Sequence, residues 1–494
     1  YRCSSEDRRK PLCPLPVLLE HAGGLICLTG AIPFGHLPRL VLCGRVGEAR
    51  EVLLSLKEAF GQGSVYVELT DDLTAGSRRR LRRMAVFARE IGSRTIATNE
   101  VAYLRPGDHR LHEVLVAASN LSALPGPGHR PTDALYLKPP EKMAALFEDY
   151  PKALRNVAEV AERCVGTVEL AGEVRMPGGI VPAGQTPGGE LERLARAGAR
   201  RRYGGLYGEV KARLERELDC IEELGFAPYF LLAREAVDIA RERGVPVTGR
   251  GSAANSLVAY SLGLTQPEPL SNRLLFERFM HEGRVDPPDI DLDLCSEGRD
   301  GVRDELIRRY ERHGAAVAAT ANTLSLRGAV RVAARALGHP PREIDDLSRH
   351  VPTRFMDRDR LLNPVSGWEG ALGEPAMKGH PLQDRRRYAL LLELSWRLSG
   401  RLHQAGTHLG GLVMGSEDHH LSEIVPLEPS GKPGLLRCQY DKDDLEYVGL
   451  PKLDLLGLKM HTALKKAGEL ISGRLGRKVD PLDPPPDDKE TYQL

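Results

Sequence analysis

Three aspartates stand at alternate positions of PPDIDLDLC, residues 287–295: Asp289, Asp291 and Asp293. In an extended strand, residues two apart share a face, so the acids point together while Ile290, Leu292 and Leu294 point to the core. Like charges placed this way repel unless a cation sits among them. Mg²⁺ is the natural choice, a hard ion that takes carboxylate oxygens, keeps waters and bridges substrate phosphates. The alternative is a solvated acidic strand edge. The strongly apolar residues between the acids, and the stiffening Pro287 and Pro288, count against it.

Upstream lies GVPVTGRGSAANSLVAYSLGLT, residues 244–265, which reads as a short strand, a tight turn and a helix. Gly249 and Gly251 let backbone N–H groups approach an anion, and Ser252 offers a helix cap or a hydroxyl. Arg250 adds a fixed positive charge, and the helix start contributes a partial one. This is a phosphate-binding arrangement. GRGSAA also fits a degraded dinucleotide fingerprint, but the acid expected about 20 residues on falls in PEPLSNRLLFERF, which reads as helix. A triphosphate is the better match. Far along the chain, Asp454 is a lone acid among Leu453, Leu455 and Leu456, beside Lys452. A carboxylate in such a run needs a partner or a metal, unless it merely ends a strand before a helix.

Positioning these groups takes more than one core. A chain of 494 residues favours several domains. Hydrophobic residues at 41% and charged residues at 28% describe an ordinary globular protein, not a disordered one. No window approaches the roughly 18 apolar residues of a membrane span. The opening YRCSSEDRRKPL lacks the apolar core of a signal peptide, so the chain reads as cytoplasmic, with no membrane partner. Eight cysteines without CxxC pairs suggest neither a zinc knuckle nor a disulfide framework. A net charge of +1 hides local extremes, basic in SRRRLRRMAVFARE and acidic around Asp289. Residues 24–100 alternate apolar runs with helical patterns, as in an α/β domain. The Pro- and Gly-rich LPGPGHRPTDALYLKPPEK then suggests a boundary near 140. The start on Tyr1 and the uncapped DDKETYQL at the end suggest truncation at both ends.

Taken in order, GRGSAANSLVAY, LLFERFM, PPDIDLD, RGAVRVAARALGHP, AGTHLGG and QYDKDDLEYVGLPKLDLLGL resemble the bacterial C-family DNA polymerases, from roughly residue 24 to the end. The resemblance implies an α/β multidomain chain. A partial PHP-type domain would span 1–140. A palm of the β-type nucleotidyltransferase kind, a mixed sheet with helices, would span 141–320 and 409–460. A helical thumb would be inserted at 321–408, and helical fingers would begin at 461–494. The implied activity is template-directed DNA synthesis from dNTPs on a primer 3'-hydroxyl, in replication or translesion repair synthesis. Asp289, Asp291 and Asp454 would be its catalytic, metal-binding carboxylates, with Asp293 in support. They would bind two Mg²⁺ ions about 4 Å apart, with Mn²⁺ able to substitute, to polarise the hydroxyl and steady the departing pyrophosphate. Arg250, Gly251, Ser252, Lys452 and Arg278 of FERF would hold the nucleotide.

In the expected thumb, LSLRGAVRVAARALG places Arg327, Arg331 and Arg335 four apart, one stripe of a helix that can meet successive DNA phosphates. His408 of AGTHLGG matches a family motif; a structural or DNA-backbone role suits it better than catalysis. The PHP-type region lacks the early HxH pair and has Glu100 and Ala102 in ATNEVAY where the family expects Asp and His, so no PHP nuclease is expected. GRGSAANS and His403 lean toward the accessory, error-prone branch. Expected partners are primer–template DNA, dNTPs, a sliding clamp and other replication or mutagenesis subunits. The competing readings are a catalytically incomplete architectural fragment, a dinucleotide oxidoreductase built on GRGSAA, and a stand-alone PHP phosphoesterase.

Overall fold

A computed structural model describes residues 13–32, 35–126, 128–130, 132–166, 172–178, 181, 184–281, 283, 287–352, 364–480, 482, 489–490 and 493. YRCSSEDRRKPL, and parts of the expected fingers, fall outside these residues. The architecture is mixed α/β, in two compact units: residues 169–321 with 405–494, and residues 3–168 with 322–404.

The second unit holds a small parallel sheet of β1 (Cys27–Leu28), β2 (Val65–Thr70) and β3 (Arg94–Thr98) in that order. The arginine-rich stretch forms the helix Ser77–Glu90, which buries Leu81, Met84 and Phe87 beside Val65, Val67 and Leu69 of β2. Spacings of three put these residues on one face and leave the arginines to solvent. The Pro- and Gly-rich stretch leads into helix. Pro140 opens the helix Pro140–Leu146 instead of extending a linker, as proline does in a first helical turn. Leu146, Phe147 and Ala153, the last from the helix Pro151–Cys164, complete the core over the small sheet. The expected thumb does not stand apart either. Its helix Leu326–Ala336, capped by Ser325 on the Gly328 N–H at 3.1 Å, shares a core with Leu111, Val114 and Ala117 of the helix His109–Ser119.

The first unit is built on a seven-stranded sheet. Its strands are β4 (Val247–Arg250), β5 (Asp291–Cys295), β6 (Ala315–Thr323), β7 (Leu402–Met414), β8 (Leu427–Pro429), β9 (Leu436–Cys438) and β10 (Lys452–Leu458). They lie in the order β4-β5-β10-β7-β6-β9-β8. β5 and β10 run parallel, while β4 and β7 flank them antiparallel. Ile290, Leu292, Leu294, Leu453 and Leu455 are fully buried against the helices Gly208–Glu223 and Ala227–Glu242 and the rest of that core. This apolar bed fixes the two central strands, and with them every acid they carry. No described helix is long and apolar enough to cross a membrane.

Candidate active site

The register of β5 against β10 sets Asp291 directly opposite Asp454. Asp289, just before β5, joins them, and all three carboxylates offer an oxygen within 4.8 Å of one another. Lys452 lies two residues before Asp454, on the same face of β10. Its ammonium donates to Asp454 Oδ2 at 2.5 Å and stands 3.7 Å from Asp289 Oδ1. On the other flank Arg250 is the cross-strand partner of Asp291, with Nε 3.5 Å from Asp291 Oδ2. Two cations thus face three acids.

The electrostatics follow from that imbalance. Burial, then repulsion from Asp289 and Asp454, holds the Asp291 carboxyl above the usual range against the pull of Arg250 and Lys452. Burial alone would lower Lys452, but its hydrogen bond to Asp454 and the charges of Asp454, Asp289 and Asp291 outweigh this and raise it. Asp454 Oδ1 is buried with no hydrogen-bond partner. Opposite Asp454 in β7 stands Gly411, where a Cβ would lie 3.2 Å from that oxygen and 2.4 Å from His408 Nδ1. Gly411 thus makes room for His408, and the buried Asp454 oxygen without a hydrogen-bond partner, beside the oxygens of Asp289 and Asp291, fits a hard divalent cation.

The other expected residues divide. Asp293 shares the strand but sinks behind the group: it is 5% exposed, with Oδ1 3.7 Å from Arg250 Nε. The three acids of DIDLD therefore do not form one exposed row. Asp289 is exposed, Asp291 half-buried and Asp293 buried, because β5 is an inner strand covered on both faces. His408 comes closer than expected. Its Nδ1 accepts from the Gly411 N–H at 2.9 Å, which commits that lone pair, so its 3.6 Å approach to Asp454 Oδ1 is proximity and not an ion pair. Arg278 sits exposed on the short turn Phe276–Arg278 and pairs with none of the three acids. Arg327, Arg331 and Arg335 belong to the second unit. There Arg327 donates to the Val351 carbonyl at 3.1 Å, and Arg331 to Asp345 and Ser348 at 2.7 and 3.0 Å.

The glycine turn differs from the strand–turn–helix expectation. β4 runs through Thr248 and Gly249 to Arg250, which is extended so that it pairs with Asp291. Gly249 is spent on close packing: its N–H bonds the Leu264 carbonyl at 2.6 Å, and a Cβ would meet that oxygen at 2.7 Å. Gly251 supplies the turn, with φ of +72°. A 3₁₀ turn Gly251–Asn255 follows, and the α-helix begins only at Leu257, capped by Ser256 and not Ser252. The start of that helix is already occupied by a carboxyl group. Buried Glu217 accepts from Ser256 Oγ at 2.8 Å and the Val258 N–H at 3.1 Å, and pairs with Arg213. What the turn offers a ligand is Gly251 and Ser252 beside Arg250. Sequence reasoning missed Glu217, Gly411 and Tyr229, whose hydroxyl touches both acid-bearing strands. Only Gly411 left a signal, as a glycine pair inside a strand marks close approach.

Comparison with known proteins gives the family. Residues 189–457 match the family model of the bacterial DNA polymerase III alpha NTPase domain. An error-prone DNA polymerase of Symbiobacterium thermophilum is 35% identical over 490 residues, 99% of this chain and 43% of the relative. The DNA polymerase III subunit alpha of Treponema pallidum is 32% identical, over 95% of this chain and 39% of its own length. The error-prone DNA polymerase 2 of Agrobacterium fabrum is 34% identical, over 90% and 39%. Both acid-bearing segments, around Asp289 and Asp454, lie within the residues that match this family model. The chain belongs to the bacterial C-family DNA polymerases, and it spans about two-fifths of the length of these curated relatives.

Proposed function

We propose that the acidic edge of β5 and β10 is the centre for template-directed DNA synthesis, in which a dNTP gives its nucleotide to a primer 3'-hydroxyl. The observation that carries this reading is the convergence of Asp289, Asp291 and Asp454 within 4.8 Å around a partnerless Asp454 oxygen. When bound there, two Mg²⁺ ions would supply charge neutralisation for the in-line displacement. The chain's own residues do the positioning. Lys452 and Arg250 bracket the acids and suit triphosphate oxygens, with Gly251 and Ser252 presenting the adjoining turn. A cavity of about 280 Å³, lined by Pro288, Asp289, Glu446, Gly449 and Lys452, opens beside the acids and gives the substrate room. Primer–template DNA and a dNTP are the substrates this reading requires. Phosphoryl transfer needs position and charge more than a protein nucleophile, and no nucleophile is required of this site.

The test is primer extension with Asp454→Ala. The expected outcome is a loss of more than about a thousandfold, since several kcal/mol of charge stabilisation disappear, with DNA binding within about twofold of the parent. Near-normal extension would remove Asp454 from the chemistry. If the parent chain binds DNA but extends nothing, an architectural role takes the place of catalysis.

A further inference from the structure

Tyr229 projects from the helix Ala227–Glu242, is 1% exposed, and sits where no general packing argument requires a hydroxyl. The parallel register pairs Asp454 with Asp291. Continued one residue back, it would set Leu453 opposite Ile290, and in a parallel ladder the Ile290 N–H would then bond to the Lys452 carbonyl. It does not. The Tyr229 hydroxyl stands in the place of that bond, donating to the Lys452 carbonyl at 2.7 Å and accepting from the Ile290 N–H at 3.4 Å. The donor and acceptor roles are unambiguous, because a carbonyl only accepts and a backbone N–H only donates. β5 begins at Asp291, immediately after this inserted oxygen.

The position of the insertion matters more than the bonds themselves. Ile290 is flanked by Asp289 and Asp291, and Lys452 stands two residues before Asp454. A one-atom wedge between Ile290 and Lys452 therefore spaces the backbones from which all three carboxylates project. Burial first, and the neighbouring charges of Asp289, Asp454 and Asp291 with it, push the phenol well above its usual range, so it keeps its proton and remains a donor.

We infer that Tyr229 is a positioning residue for the acidic site: its hydroxyl, wedged between Ile290 and Lys452, sets the separation of Asp289 from Asp454 and so the affinity for divalent cation. The inference rests on the metal-binding reading of the three acids given above. Without the hydroxyl, the strands either close by one more ladder bond, which moves Asp289 relative to Asp454, or leave two buried groups unpaired at a cost in stability; the inference requires the first. Groups that orient metal ligands from behind typically change metal affinity about 10- to 100-fold when removed.

The experiment is a Mn²⁺ titration followed by electron paramagnetic resonance on the whole chain, comparing the parent, Tyr229→Phe and Asp454→Ala, with melting temperatures measured without metal. The expected result is loss of the site in Asp454→Ala and an affinity at least about tenfold weaker in folded Tyr229→Phe. Unchanged Mn²⁺ affinity in Tyr229→Phe, with the site lost in Asp454→Ala, overturns the inference and leaves the site standing. Such a result with a lowered melting temperature makes Tyr229 an ordinary core residue. Parent-like binding by Asp454→Ala overturns the metal-site reading itself, and the inference with it. Should Tyr229→Phe fail to fold, amide exchange at Ile290 in the parent decides the question. Mg²⁺ is expected to slow it about tenfold, because the flanking acids are clamped, and an unchanged rate overturns the inference.

Discussion

Acids collect at strand ends in both sheets, yet the two collections are built on opposite plans. Just past β2 and β3, each acid has its own partners. Arg130 forks onto Glu100 at 2.7 and 3.0 Å, Arg80 pairs with Asp72 at 3.1 Å, and Asp71 accepts from Ser77 Oγ at 2.6 Å while its other, buried oxygen makes no hydrogen bond but lies 2.8 Å from the Arg78 guanidinium. At the head of β5 and β10, three carboxylates share Lys452 and Arg250, and one buried oxygen has no partner. The first arrangement is neutralised from within and stabilises its own loops. The second leaves negative charge uncompensated, at a cost in stability, and is thereby ready for a cation from outside.

The largest consequence concerns divalent cations and the fold. A ligand at a hundredfold excess over its Kd stabilises by about 2.7 kcal/mol, so saturating Mg²⁺ is expected to raise the melting temperature of the chain by several degrees. Asp454→Ala should abolish that rise, and Glu100→Gln should keep it. An equal loss in Glu100→Gln would erase the distinction between the two clusters. The same contrast bears on exonuclease chemistry: with Glu100 engaged by Arg130, no metal-dependent 3' to 5' digestion is expected to survive in an Asp289 and Asp291 double mutant, and digestion that persists would return the small sheet to consideration as a catalytic centre.

A smaller effect has opposite signs in the two places. Asp291→Asn removes a carboxylate that is held above its usual range, so the metal-free chain should gain up to about 1 kcal/mol. Arg130→Leu strands Glu100 and should cost about 1 to 2 kcal/mol, less than a fully buried pair because both groups remain partly solvated. Urea unfolding in chelator checks both. Destabilisation by Asp291→Asn would show that the open cluster is held together by its two cations and carries no stored repulsion.

The acids were legible because chemistry and spacing coincide there: alternation in DIDLD, and a lone acid in KLDLL, are unusual patterns among apolar residues. The partner strand of Asp291 was not legible, since register between residues 163 positions apart is a tertiary outcome. The helix expected directly after the glycine turn begins only at Leu257, where buried Glu217, on a distant helix, accepts from the Val258 N–H. Ser252 and Ser256 are indistinguishable as caps until that carboxylate is in place. The helix at Pro140 was hidden for a related reason: Pro139 and Pro140 look alike in a linker and in a first helical turn, and burial of Phe147 decides between them. Tyr229 gave no sign, since an aromatic residue in PYFLLA reads as core, which it also is.

The same rule, that a group already paired has less to offer a ligand, ranks the three arginines of the helix Leu326–Ala336. Arg331 is tied to Asp345 and Ser348, and Arg327 to the Val351 carbonyl, whereas Arg335 is exposed and has no acidic partner among the described residues. A guanidinium that must leave a carboxylate to meet a phosphate recovers only the difference between the two contacts; a solvated one gains the full release of counterions. Arg335→Ala is therefore expected to reduce the slope of log binding constant against log salt by about 0.9, the value for one phosphate contact, with Arg331→Ala and Arg327→Ala reducing it less. Fluorescence anisotropy on a primer–template duplex over a range of salt measures each slope. Equal losses from all three would mean that the internal pairs open freely on contact with DNA, and that pairing ranks carboxylates in this chain but not arginines.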